Sequence, residues 1–261
     1  MHDFLTAVHT DVGRVKRVNQ DAVFLEIAMT DVGPVLLAAI CDGMGGLADG
    51  EKASAQMAYA LGEWFETSLA STIVKESSLV TYDRFQAEFD FMIRKTAEHI
   101  EASSQHASGT TIAALLMASG VYYTANVGDS RVYCMHDHLV QLTKDQTVVQ
   151  RELDAGKITE KDIPTHPQRS VLLQCVGASE VIIPDYTQGT YGEGDTFLLC
   201  SDGFRHLVTV EELEDALFTD DEPSEDAMKN TLVSLTETNK KRGEKDNISS
   251  IMIKTTKEKR F

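Results

Sequence analysis

The chain has 261 residues, 42% hydrophobic and 25% charged, which is enough apolar material for a core and compatible with one layered domain. A net charge of −17 argues against nonspecific nucleic-acid binding and against docking on anionic lipid, but not against a phosphorylated protein met through local positive charge or metal. No hydrophobic stretch follows Met1 and no apolar run approaches spanning length, so a cytoplasmic location is expected; Cys41, Cys134, Cys175 and Cys200 form no CxxC pair and read as reduced core thiols rather than zinc ligands.

In chain order, His2–Val8 and Val23–Ile27 read as strands around a polar loop, Thr10–Ala22, that carries three basic residues. Val35–Cys41 is a charge-free run, the mark of a strand buried on both faces, and it ends at Asp42 before the glycines Gly43, Gly45 and Gly46. A helix from near Glu51 follows, with Trp64 on its packed face; Ser71–Ser78 is a connection, and Tyr82–Ser103 is a second long helix by its apolar spacing. Thr110–Ala118, Val121–Val127, Arg131–Met135 and Leu139–Leu142 then suggest an antiparallel meander with tight turns. Asp145–Ile163 is polar and partly helical until Pro164–Arg169 breaks it, and Val148–Arg169 reads as a surface insertion that carries specificity. Asp195–Cys200 is a strand, Thr209–Glu212 a capping box, Asp220–Asp226 an acidic loop, Ala227–Asn239 a helix and Ile248–Lys254 a last strand before a frayed tail, Thr255–Phe261.

One pattern recurs at the ends of these elements. Asp42 and Asp202 follow buried strands, Asp129 sits in a turn between strands, Asp246 precedes a strand, and Asp21 precedes another from within the basic loop. Each could simply finish a turn. If they converge, their mutual repulsion calls for cations, and oxygen donors suit Mg²⁺ or Mn²⁺. Two such ions would activate a water and clamp a phosphoryl oxygen.

The same residues lie in eight ordered segments: Asn19-Gln20-Asp21, CDGMGG at Cys41–Gly46, SGTT at Ser108–Thr111, NVGDSR at Asn126–Arg131, LTKD at Leu142–Asp145, HPQR at His166–Arg169, SDG at Ser201–Gly203 and Asp246-Asn247. In this the chain resembles the metal-dependent protein serine/threonine phosphatases (the PPM, or type 2C, family) in their compact bacterial form. The resemblance implies an α+β fold, a four-layer αββα sandwich of two antiparallel sheets flanked by helices, as one domain over residues 1–256 with a flap at about 148–169 and a charged tail, 257–261. It implies that Asp42 bridges two metals, that the Gly43 carbonyl holds the second, that Asp202 and Asp246 hold the first, and that Asp21 acts through metal-bound water. Asp129 matches a weaker third metal site. The reaction implied is hydrolysis of phosphoserine and phosphothreonine by a metal-bridging hydroxide, opposing a Ser/Thr kinase, in a monomer that binds neither nucleic acid nor membrane.

Three departures stand out. Gln20 replaces the glutamate of many animal members, leaving the second metal one anionic partner fewer. Met44 stands where those members have a histidine proposed as general acid, and a thioether donates no proton. Lys16 stands where an arginine usually grips the substrate phosphate, with Arg14 and Arg17 beside it. Two rival readings are a catalytically weak phosphoprotein-binding module of the same fold and a metal-dependent phosphodiesterase or nuclease. The second would be expected to carry a basic groove, against the charge of −17. His166, before Pro167, reads as a structural flap residue.

Overall fold

The computed structural model describes residues 2–31, 33–45, 49–69, 81–103, 107–218 and 224–257. Its strands are β1 (His2–Asp11), β2 (Asp21–Thr30), β3 (Gly33–Met44), β4 (Gly109–Thr110), β5 (Ile112–Ala118), β6 (Val121–Val127), β7 (Arg131–Met135), β8 (Leu139–Gln141), β9 (Asp185–Thr190), β10 (Thr196–Cys200) and β11 (Ile248–Lys257). Its α-helices are α1 (Asp49–Trp64), continued by a π-helical turn at Phe65–Leu69, then α2 (Tyr82–Ser103), α3 (Val148–Asp154), α4 (Asp202–Arg205), α5 (Val210–Leu217) and α6 (Glu225–Arg242). One sheet has the order β2-β3-β5-β6-β9 with β4 against the end of β3; the other runs β1-β11-β10-β7-β8, and every pairing is antiparallel.

The charge-free run of β3 is apolar on both faces because both are covered. Leu36, Ala38 and Ile40 meet Phe197, Leu199, Ile251 and Ile253 between the sheets, while Val35, Leu37, Ala39 and Cys41 meet Met57 and Leu61 of α1 and Phe85 and Phe89 of α2. On the far side Leu198, Cys200 and Met252 pack on Leu213, Leu217 and Leu232 of α5 and α6. The layers are therefore helix, sheet, sheet, helix. Each fully buried Leu or Phe contributes about 1.5–3 kcal/mol. A strand apolar on both faces gains nothing from one register over the next. The register of β3 is instead fixed at its polar end, by the Asp42 and Gly43 backbone bonds described below.

Several boundaries differ from the sequence expectation. The strand does not stop at Asp42 but runs on to Met44, since Gly43 and Met44 pair with Thr110 and Gly109. The four β runs after Thr110 are not one meander: β5 and β6 lie in one sheet, β7 and β8 in the other, and the Gly128-Asp129-Ser130 turn carries the chain across. A short turn satisfies a hairpin and a crossover equally, so the sequence does not separate them. Strand β9, DYTQGT, has no expectation at all; it is a half-polar edge strand. A 3₁₀ helix, Glu160–Thr165, runs through Pro164 rather than breaking there. The charged tail begins later than expected, because Thr255 and Lys257 still pair with Phe4 and His2. The connection at 71–78, most of the acidic loop at 220–226 and residues 258–261 fall outside the described residues. The capping box is present: the Thr209 hydroxyl accepts from Glu212 N–H and Glu212 accepts from Thr209 N–H. Trp64 is buried core, its indole N–H donated to Glu88 at 2.9 Å. All four cysteines are free thiols.

Candidate metal centre

The strand-end aspartates converge because the ends of both sheets converge. Asp21 and Asp42 sit opposite one another on β2 and β3. Asp202 opens α4 directly after β10, Asp246 lies two residues before β11, and Asp129 occupies the crossover between the sheets. Lys16, Asp42, Gly43, Asp129, Asp202 and Asp246 line a cleft of ≈ 430 Å³.

Short polar residues hold these corners in place. Asp42 N–H donates to Thr111 Oγ1 at 3.0 Å, Thr111 N–H donates back to the Asp42 carbonyl at 2.9 Å, and that carbonyl also accepts from the Thr110 hydroxyl. Asn247 accepts from Gln20 N–H at 2.9 Å and donates to the carbonyls of Val12 and Val18, which pins the basic loop beside Asp246. Asn19 links that loop to Thr10 and to Asp21 N–H. Two glycines are required by close approach: a Cβ on Gly43 would stand 2.1 Å from the Gly50 carbonyl oxygen, and one on Gly203 would stand 2.1 Å from that of Asn247. The second contact is what lets the Asp202 and Asp246 corners share one end of the sheet.

The result is an electrostatic conflict. Burial pushes the Asp42 carboxyl well above its ordinary range, and the charges of Asp21, Asp202, Asp129 and Asp246 push it further. Asp21 is raised to about 7, chiefly by burial, against the lowering effect of hydrogen bonds from Ser249 and Ser201. Asp129 is raised to about 7, again by burial first and then by Asp202, with Arg205 opposing. Lys16 leans in from the basic loop, its ammonium 2.8 Å from Asp246 Oδ1; burial disfavours its charge, but the Asp246 contact outweighs that and raises its pKa.

Asp21 Oδ1 and Asp202 Oδ1 are buried with no hydrogen-bond partner among the described residues. Orphaned anionic oxygens inside a cluster of five carboxylates are what a cation would satisfy. Among the described residues no three His, Cys, Asp or Glu side chains close on one point as a ready-made cage. That suits a hard ion that keeps much of its water and takes one or two carboxylates plus a backbone carbonyl, and it does not suit zinc with its compact N/S shell. The residues present therefore fit Mg²⁺ or Mn²⁺.

Around the cluster lie groups that the sequence motifs name only in part. Arg131 grips Asp145 through two parallel bonds of 2.7 Å, which explains the NVGDSR and LTKD segments as one structural pair. Arg205 donates to the Asp129 carbonyl at 2.9 Å and lies 3.6 Å from its Oδ2. His206 stands between Asp202 Oδ2 at 3.5 Å and Glu244 Oε2 at 3.4 Å. Burial opposes its charge, yet the Glu244 and Asp202 carboxylates win and raise its pKa. Arg205 and His206 escape sequence reading, since only their spacing from Asp202 on one short helix marks them. Arg14 points away from the cleft and donates to the Lys240 carbonyl at 3.0 Å, and Arg17 is not among the lining residues. Gln20 and Met44 line the cleft. His166 caps the 3₁₀ helix and contacts Glu152 at 3.3 Å, in keeping with a structural role.

A four-layer αββα sandwich whose paired sheet ends gather carboxylates around an oxygen-lined cleft defines a metal-dependent phosphatase. The protein phosphatase 2C profile matches residues 12–249, and the chain belongs to that family of metal-dependent Ser/Thr protein phosphatases. It is similar to the serine/threonine phosphatase stp of Listeria monocytogenes, 33% identical over 257 residues, which cover 94% of this chain and 93% of that one. Among solved structures it is similar to the serine/threonine phosphatase PstP/Ppp of Mycobacterium tuberculosis, with a TM-score of 0.80 at 29% identity over 97% of this chain and 99% of the other. It is also similar to the catalytic domain of PstP in complex with two manganese ions, with a TM-score of 0.78 at 27% identity over 98% and 100% of the two chains. Among the described residues no helix is long and apolar enough to cross a membrane.

Proposed function

We propose that Asp42, the Gly43 carbonyl, Asp202 and Asp246 hold two divalent ions on which the chain hydrolyses phosphoserine and phosphothreonine in proteins. The observation that carries this reading is the pair of orphaned oxygens on Asp21 and Asp202 within five mutually repelling carboxylates. Bound there, such ions lower the pKa of water and neutralise developing charge on a phosphoryl group. Asp42, opposite Asp21 at the end of β3, would hold both ions. Asp21, fixed by the Ser201 hydroxyl at 3.0 Å, orients water from behind. Lys16 exchanges Asp246 for the incoming phosphate, giving up a 2.8 Å contact as the ligand arrives. The Cys41 and Cys200 thiols take no part, since burial pushes both well above the usual thiol range.

The finer assignments belong to the same proposal. Asp129 serves a weaker third ion, with the Arg205 guanidinium sharing its charge. Mn²⁺ or Mg²⁺ fills the sites, a Ser/Thr kinase supplies the substrates, and the enzyme works as a cytoplasmic monomer with its flap, 148–169, beside the cleft. The test is phosphate release from a phosphothreonine peptide with chelator, with Mn²⁺ restored, and in Asp42→Asn. Chelation should abolish turnover, Mn²⁺ should restore it, and Asp42→Asn should lose on the order of a hundredfold in kcat or more. A thoroughly demetallated protein, or an Asp42→Asn variant, that turns over at the wild-type rate would remove the mechanism.

A further inference from the structure

A second cavity, of ≈ 540 Å³, opens on the other side of the carboxylate cluster. It shares Asp129, Asp202, Asp246 and Ser170 with the first, so a ligand seated in the cleft continues directly into it. Its far walls are the flap, through Ile163, Pro164 and Arg169, and the corner after α6, through Gly243 and Lys245. Its other charges largely cancel in place. Arg131 is paired with Asp145, Arg205 with Asp129 and Asp145, and His206 with Glu244. Asp202 and Asp246 are committed to metal on the reading above. What remains is Arg169 and Lys245. Both are exposed, and among the described residues neither has an acidic side chain within ion-pair distance; the Arg169 guanidinium meets only the Pro164 carbonyl, at 3.4 Å. Both line the cavity, Arg169 from the flap and Lys245 from the corner after α6.

We infer that this cavity is a flanking-residue subsite in which Arg169 and Lys245 together recognise an anionic side chain, a carboxylate or a second phosphate, near the phosphorylated residue of the substrate. The inference rests on the phosphatase reading, since the cleft must hold the scissile phosphate. The two cavities share four lining residues, so the anion belongs on a residue close in sequence to the phosphothreonine. It also accounts for how a chain of charge −17 receives an acidic substrate: the attraction is local, from two cations with no acid of their own. Because both cations are in water, each is worth at most about a fivefold preference, and salt should weaken it.

The test compares three phosphothreonine peptides at saturating Mn²⁺: one with alanine flanks, one with glutamates and one with a second phosphoserine. The values of kcat/KM for wild type, Arg169→Ala, Lys245→Ala, the double variant and Lys245→Glu are each divided by that protein's rate on a small aryl phosphate. The wild type should favour the glutamate peptide by about three- to tenfold at low salt. The doubly phosphorylated peptide should gain at least as much if phosphate is the better ligand. The double variant should bring the ratio near one, and so should Lys245→Glu, where the new carboxylate offsets Arg169. A wild-type ratio of one, or a double variant that keeps the preference, overturns the subsite. Failure to hydrolyse any peptide would instead sink the phosphatase reading. In that event fluorescence anisotropy of the same peptides on Asp42→Asn still ranks the flanks: a preference lost in the double variant upholds the subsite, and its absence overturns it.

Discussion

Stripping the metal and raising the pH should destabilise this protein, in a window where many proteins change little. Asp21 has an ordinary pKa of 3.8 and stands at about 7 in the fold because it is buried beside other carboxylates. Between those values the native state holds a proton that the unfolded chain has released, so stability falls as pH rises and the full cost is present above about 7. From these two values, Asp21 alone removes about 2 kcal/mol of stability between pH ~5.5 and ~8. Asp129, also at about 7, acts in the same direction, though less than additively, because both groups feel Asp202. His206 adds to the trend: its pKa is raised, so its contribution is present at low pH and lost as pH climbs through the folded value. Asp145 and Glu244 are lowered, Glu244 to about 2, so their contributions are complete throughout this window and fade only in acid. His9, lowered by burial, pulls the other way. The assay is urea unfolding in chelator at the two pH values, repeated with Mn²⁺ and in Asp21→Asn. The chelated wild type should unfold at a midpoint about 1 M lower at the upper pH. Mn²⁺ should recover most of that loss, and Asp21→Asn should lessen the dependence, leaving the part carried by Asp129 and His206. A chelated wild type equally stable, or more stable, at the upper pH would refute the reasoning.

Two further outcomes follow from the same geometry. Lys16→Ala should raise KM by about 1.5–3 kcal/mol, the worth of a hydrogen bond to a charged group, with a smaller effect on kcat; Lys16→Arg should be tolerated or improved, and Arg14→Ala, whose guanidinium faces Lys240, should leave KM alone. A silent Lys16→Ala beside a crippled Arg14→Ala or Arg17→Ala would move the phosphate grip to the neighbour. Asp129→Ala should lower turnover while leaving the tightest Mn²⁺ binding intact by calorimetry, and loss of the tightest event would place Asp129 in the main centre.

What the sequence made legible divides along physical lines. The β3 run and helix α2 are plain because burial on two faces and a steady helical period leave clear patterns, and α2 has the expected bounds, Tyr82–Ser103. Strand β9 is hidden because an edge strand needs little apolar surface. The crossover at Asp129 is hidden because a three-residue step between sheets looks like a hairpin. At the site, each aspartate announces itself through its motif, and so do Thr111, Asn19 and Asn247. The pairing of Arg205 with Asp129, of His206 with Glu244, and the retreat of Arg14 toward α6 depend on where side chains end in space, and no spacing rule reaches them.

Strand β11 carries a consequence for how the enzyme comes into being. It is the last described strand, yet it lies between β1, the first, and β10. Until it is inserted, the first strand has no neighbour in its sheet, and the corner bearing Asp246 and Asn247 is missing from the cleft. A chain ending at α6 thus possesses all of the described helices and every strand of the β2-β3-β5-β6-β9 sheet, but lacks the Asp246 corner of the proposed centre. On the centre proposed above, turnover therefore waits for β11 to close the sheet and bring Asp246 to the cleft.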